Sequence, residues 1–203
     1  MTPAATPRQR RAARRKIEIL EAALRVLSED GYTQASMDKI AEQALLTRVG
    51  LYKHYKDKNT LVVALREHKL LELAERVQVA IENERGFEAR LRVAVHETVQ
   101  YQREHPGFFR VLLASSFSSD LGADYSLKPF LHTLTSIFEQ GQSEGTIYPG
   151  DPLEYAGLLA TVVFEPSIKQ AFVPEPLGQT PPEHIAQTIS NIFLYGLMRP
   201  KTL

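Results

Sequence analysis

An all-α fold in two parts, a small N-terminal bundle and a larger C-terminal one, is the class this 203-residue sequence predicts. Apolar residues recur at three-to-four-residue spacing along nearly the whole chain. Glycine and proline clusters cut the pattern into helix-length pieces. No stretch alternates apolar and polar residues as a half-buried strand does, and there is no internal repeat.

Residues 1–12, rich in Pro, Ala and Arg, are expected to form a disordered basic arm. Arg8, Arg10, Arg11, Arg14, Arg15 and Lys16 follow one another without an acid, a composition suited to a phosphate backbone or a minor groove. A first helix is predicted over about 12–30 on Ile17, Leu20, Leu24 and Leu27, with Gly31 as a left-handed stop. Ser36 is a good N-cap for a second helix whose apolar face is Met37, Ile40, Ala41 and Ala44. A third begins at Thr47 and runs to about Tyr55, with Leu46 and Leu51 turned to the core. Asp57 caps a long fourth helix to about 84, and Gly86 breaks it. A fifth covers about 87–104 and ends at Pro106-Gly107, and Phe108, Phe109, Leu112 and Leu113 begin a sixth.

Beyond a loop at 118–124, Leu127, Phe130, Leu134 and Phe138 mark a helix over about 126–141. Residues 153–172 are apolar nearly all round and are expected to be buried on several sides. Prolines at 174, 176, 181 and 182 stiffen the connection to a last helix, about 182–198.

Composition excludes several classes. There is no cysteine, hence no disulfide scaffold, thiolate metal site or cysteine nucleophile. No run approaches 18 apolar residues, and the basic N-terminus lacks the apolar core of a signal peptide, so a soluble cytoplasmic protein without membrane partners is expected. Six scattered histidines show no metal-ligand spacing, and there is no phosphate-binding glycine loop or nucleophile elbow. No metal, no cofactor and no enzyme activity are expected. The net charge of zero hides a split. Residues 1–68 hold 13 Lys+Arg against 8 Asp+Glu, and residues 69–203 hold 11 against 16. A polyanionic partner is expected for the first part only.

The chemistry concentrates in residues 36–58. Two short helices joined by about three residues fit helix-turn-helix geometry over about 36–55, the first crossing a DNA backbone and the second entering the major groove. Ser36 and Thr47 cap the helices, and Thr47 can also reach a phosphate. Arg48 has the fork geometry to read a guanine edge, and Val49 can meet a thymine methyl. Gly50 costs about 1 kcal/mol of helix propensity relative to alanine but lets the backbone approach the groove floor. Tyr52, Lys53, His54 and Lys58 can grip phosphates, which fixes register without reading sequence.

Residues 17–61, carrying I-L-E-A-A-L-R-V-L-S-E-D-G-Y-T, I-A-E-Q-A and T-R-V-G-L-Y-K-H-Y-K-D-K-N-T-L, closely resemble the N-terminal domain of TetR-type transcriptional repressors. The family's I-A-x-x-A is met by Ile40, Ala41 and Ala44, its L-Y-x-H-F by Leu51, Tyr52, His54 and Tyr55, and its S-K-E-x-L by Asp57, Lys58, Asn59 and Leu61. In relatives the matching Tyr, His and Lys touch the DNA backbone, and the resemblance carries that role to Tyr52, His54 and Lys58. The chain departs from the family at Leu45, where a turn glycine is usual, and in the order Val49-Gly50.

The resemblance implies a DNA-binding domain over 13–73, and a ligand-binding and dimerisation domain over 74–203 that takes a small hydrophobic or amphipathic effector. Candidates to line its pocket are His96, Tyr101, Phe109, Phe130 and Phe164. The last two helices resemble the family's dimer-forming pair, with Leu158, Val162, Ile185, Ile189, Ile192, Phe193 and Gly196 expected at the interface. A two-fold homodimer would present its reading helices about 34–36 Å apart to a palindromic operator of double-stranded DNA. The function expected is a homodimeric repressor released by a small molecule. The rivals are a helical enzyme or carrier whose basic segment is incidental, and a regulator of the same class that activates or takes no ligand.

Overall fold

The computed structural model describes residues 6–116, 127–164 and 180–197. Among them are nine α-helices: α1 Pro7–Gln34, α2 Met37–Gln43, α3 Arg48–Tyr52, α4 Lys58–Glu82, α5 Phe87–Glu104, α6 Pro106–Ser116, α7 Lys128–Ser143, α8 Pro152–Val163 and α9 Pro182–Leu197. The described residues form no strand. The expected loop at 118–124, the continuation of α8 to 172 and the connection through Pro174 and Pro176 lie outside the described residues.

The chain divides into two compact units, Met1–His68 with Gly107–Asp124, and Lys69–Pro106 with Tyr125–Leu203. The break falls inside α4, five residues before the expected boundary. Residues 107–116 of α6, expected in the C-terminal domain, group with the N-terminal unit, to whose core α6 adds Val111. Gly107 permits the approach, since a Cβ there would stand 2.5 Å from Ser28 Oγ.

The N-terminal core is built from Ile19, Ala23 and Leu27 of α1, Ile40 of α2, Leu51 of α3 and Leu61 and Leu65 of α4, all fully buried or nearly so. α1 starts earlier than expected, and residues 7–12 are helical. The cause is a capping box: Thr6 Oγ1 accepts from the Gln9 backbone N–H at 3.3 Å, and the Thr6 N–H donates to Gln9 Oε1 at 2.8 Å, with Pro7 in the first turn. Gly31, at φ 79 and ψ 163, kinks α1, and one further turn follows it.

In the C-terminal unit α7 packs on α8 and α9 on α5. Phe87 is buried against Gly141 of α7, where a Cβ would lie 2.6 Å from its ring. Polar bonds tie the layers: buried Gln102 donates to the Val163 carbonyl at 2.8 Å, and Arg92 to Asn191 Oδ1 at 3.2 Å. Arg76 binds Glu97 at 2.7 Å and Glu104, which holds its guanidinium charged and lowers the Glu104 carboxyl.

Four expectations for this unit need correction. His96 is exposed on α5 and lines no interior. Phe109 is buried, but in the N-terminal unit. Ile189 and Phe193, expected at a dimer interface, are 6% and 9% exposed and face the chain's own core, on the stripe Pro182, Ala186, Ile189, Phe193 that α9 lays on α5. The outward side of α9 carries Ile192 at 61%, Tyr195 at 83% and Gly196, and that of α8 carries Leu158 at 55%, so α8 is not enclosed all round. Val162 and Ile185 are half-buried at the margin. Tyr101 and Phe130 are buried, Phe130 stacking on half-buried Phe164 at 5.5 Å.

Candidate nucleic-acid interface

Ser36 opens α2 by accepting from the Lys39 N–H at 3.3 Å, which leaves Met37, Ile40 and Ala41 facing the core. After Ala44 the chain reverses through Leu45, which stands at φ 53 with its side chain 88% exposed. Leu46 N–H then donates to the Ala41 carbonyl at 2.8 Å. The turn keeps a left-handed residue although leucine stands where the family usually has glycine. A leucine there is strained by about 1–2 kcal/mol.

Thr47 caps α3, its Oγ1 accepting from the Gly50 N–H at 3.0 Å. The hydroxyl proton stays available to a phosphate oxygen. Gly50 has a reason within the chain itself: a Cβ there would lie 3.2 Å from Thr47 Oγ1 and 3.4 Å from Leu46 Cδ2, so glycine lets the cap close. Leu51 is wholly buried and fixes which way α3 points. The helix ends at Tyr52 rather than near Tyr55. Tyr55 is drawn into the core, where burial raises its phenol, and Asp57 already caps α4 by accepting from the Thr60 N–H and hydroxyl, both at 2.7 Å. The Thr60 N–H, and next its hydroxyl, hold the Asp57 carboxyl below its usual value.

One exposed face results, carrying Thr47, Arg48, Val49, Tyr52, Lys53 and His54. Arg48 is not idle on it. Its Nη1 lies 3.2 Å from Asp38 Oδ2 and its guanidinium 5.6 Å from the Tyr52 ring centroid. Both partners of the ion pair are more than half exposed, so the pair is weak and can be exchanged for a base edge.

Lys58 departs from expectation. Its ammonium donates to the carbonyls of Tyr32, Thr33 and Ala35 at 2.7, 3.5 and 3.0 Å and sits 4.8 Å from the Tyr32 ring. All three protons are directed at the last turn of α1 and its C-cap Ala35, and Tyr32 itself donates to Asn59 Oδ1 at 2.6 Å. Lys58 ties α4 to the end of α1 and is taken off the phosphate contacts. Arg15 was read only as part of a basic run, yet its Nη2 lies on the carbonyls of Ala44 and Leu45 at 3.0 and 3.4 Å. No local sequence signal announces a contact 29 residues away.

No described helix is long and apolar enough to cross a membrane, and among the described residues no group of three acidic, histidine or cysteine side chains is placed to hold a metal.

Residues 19–65 match the bacterial regulatory proteins of the tetR family. The chain is 25% identical over 138 residues to the fatty acid metabolism regulator protein of Bacillus subtilis, which covers 66% of this chain and 71% of that one. In fold it is similar to the transcriptional regulator FadR from B. subtilis, solved in complex with stearoyl-CoA, with a TM-score of 0.79 and 19% identity over 89% of this chain and 98% of that one. It is also similar to AibR, solved with isovaleryl coenzyme A and operator DNA, with a TM-score of 0.66 and 24% identity over 88% and 97% of the two chains. A capped helix with a basic exposed face, lying inside the matched residues 19–65, gives the chain an N-terminal domain of the kind found in the bacterial regulatory proteins of the tetR family, and the described residues share the helical fold of those solved regulators.

Proposed function

We propose that the chain is a homodimeric repressor that binds a palindromic operator through α3 and is released by a small amphipathic effector, with a coenzyme A thioester as the leading candidate. In this reading it works in the bacterial cytoplasm and catalyses no reaction. The observation that carries it is the exposed face of Thr47, Arg48, Val49 and Tyr52, held in place by the buried Leu51 beneath. Tyr52, Lys53 and His54 supply phosphate donors beside it. Support for the dimer comes from the exposed apolar side chains Leu158 of α8 and Ile192 and Tyr195 of α9. Support for the effector class comes from the two regulators of similar fold solved with acyl-coenzyme A molecules. Tyr101, Phe130 and Phe164 stay as candidates to line its site in the C-terminal unit; His96 and Phe109 do not.

The test begins with a duplex selected from a random-sequence pool by the protein. Stearoyl-CoA, isovaleryl-CoA, coenzyme A and the free acids are then titrated against the complex. Release by a thioester and not by its free acid is expected, and DNA must weaken the thioester by the same factor. A complex indifferent to every thioester would sink the effector class while leaving DNA binding intact. Failure to select any duplex would sink the operator reading itself. Transcription from the selected site is expected to fall when the protein is added; a rise would make it an activator.

Arg48→Ala is expected to relax preference at one base pair per half-site, at a cost of about 1–3 kcal/mol there. Binding to single-base variants of the duplex measures this. A loss uniform across all variants would make Arg48 a phosphate contact.

A further inference from the structure

We propose that Arg15, on α1, is a positioning residue for the reading helix: it locks the strained turn before α3 and so governs operator discrimination without touching DNA. The proposal rests on the DNA-binding reading above. Leu45 is the only non-glycine with a positive φ among the described residues, and its exposed side chain offsets none of that strain by burial. The backbone of the turn is what is held. Its N–H groups at 45 and 46 donate to the carbonyls of Glu42 and Ala41, at 3.0 and 2.8 Å. Its carbonyls at 44 and 45 receive one nitrogen of Arg15. A guanidinium is suited to this because it offers several donors in a rigid plane.

Arg15 is itself oriented. Its other terminal nitrogen donates to Glu18 Oε2 at 2.9 Å, and Arg14 approaches the same carboxylate from the far side at 3.2 Å. Arg15, followed by Arg14, lowers the Glu18 carboxyl and keeps it charged. The Arg15 side chain is about two-thirds covered, unlike its neighbours in the basic run. Thr47, the cap of α3, follows the turn after one residue, so any drift of the Leu45 carbonyl is passed directly to the axis of α3. A misplacement of that size weakens base contacts, which need aligned hydrogen bonds, more than phosphate contacts, which tolerate movement.

The experiment uses the selected duplex and a scrambled duplex of equal length, each titrated at several salt concentrations, for the full chain and for Arg15→Gln, Leu45→Gly and the double variant. Glycine adopts the left-handed turn without strain. Arg15→Gln is expected to lower the ratio of specific to non-specific affinity about tenfold and to leave the salt dependence unchanged. Adding Leu45→Gly is expected to restore most of that ratio. A salt slope reduced by about 1 in Arg15→Gln would make Arg15 a phosphate contact and overturn the proposal. An unchanged ratio, with only the active fraction reduced, would make its role purely structural and overturn it too. So would an Arg15→Gln loss of equal size with and without Leu45→Gly. If Arg15→Gln does not fold, Arg15→Lys takes its place in the same four-way comparison, since a lysine keeps the charge but lacks the planar set of donors.

Discussion

Leu158→Glu combined with Ile192→Glu is expected to give a folded monomer whose affinity for a two-half-site operator is lowered at least a hundredfold. Both side chains stand on the outward side of their helices, 55% and 61% exposed, and give up little within their own chain. Surface changes of this kind alter stability by about 0.5 kcal/mol or less. In a dimer the same positions would place four carboxylates in one apolar contact, and association would fail. The loss on DNA follows from linkage: two joined reading heads gain about 10²–10⁴ in avidity over one. Sedimentation gives the first quantity and titration on the selected duplex the second. An intact dimer would remove this face from the interface. Ile189 and Phe193 make the control. They face the core, so Phe193→Ala should cost about 3–5 kcal/mol of stability in thermal unfolding, through a cavity between α9 and α5.

Lys58→Met is expected to destabilise the N-terminal unit by about 2–3 kcal/mol without changing the salt dependence of DNA binding. Methionine keeps much of the length and none of the donors. Three carbonyls at the end of α1 and its cap lose the same ammonium, two of them part-buried, and an unsatisfied buried group costs about 1–3 kcal/mol. The bond to Thr33 is long and exposed, and water can replace it, which holds the total below three full penalties. The stacking of the charge on Tyr32 is lost as well. Urea unfolding measures the cost. A variant of undiminished stability whose salt slope falls by about 1 would return Lys58 to the phosphates.

These two residues mark how far the sequence could be read. Local signals located the elements well: Ser36 and Thr47 as caps, Gly86 and Pro106 as the ends of α5, while Gly31, expected to stop α1, only kinks it before one more turn. The departure at Leu45 was legible, but that the turn would keep its left-handed backbone with leucine was not. Two misses at the ends of helices came from competing signals. Thr6 and Gln9 start α1 inside a segment whose composition reads as disordered, and the burial of Tyr55 ends α3 early. The larger misses are contacts between residues far apart in sequence. Lys58 and Arg15 reach carbonyls 23 to 30 residues away, and no periodicity encodes that. On α9 the apolar residues fall on two adjoining stripes, and spacing alone does not say which one meets α5. His96 and Phe109 were placed by residue type alone, which fixes neither depth nor domain.

The pair between Arg48 and Asp38 bears on how fast such a regulator searches a chromosome. A protein must leave wrong sites quickly, and every cation that clings to a phosphate slows it. In the proposed reading, Arg48 would meet DNA with a carboxylate of its own chain beside it, in a weak pair that is easily exchanged. A lone phosphate offers little that Asp38 does not, and it also brings its charge close to that carboxylate. A guanine edge offers two aligned acceptors with no full negative charge. If Arg48 reads a base as proposed, Asp38 would act as an internal competitor that shortens the stay on random sequence and leaves Arg48 to settle where a base edge replaces it.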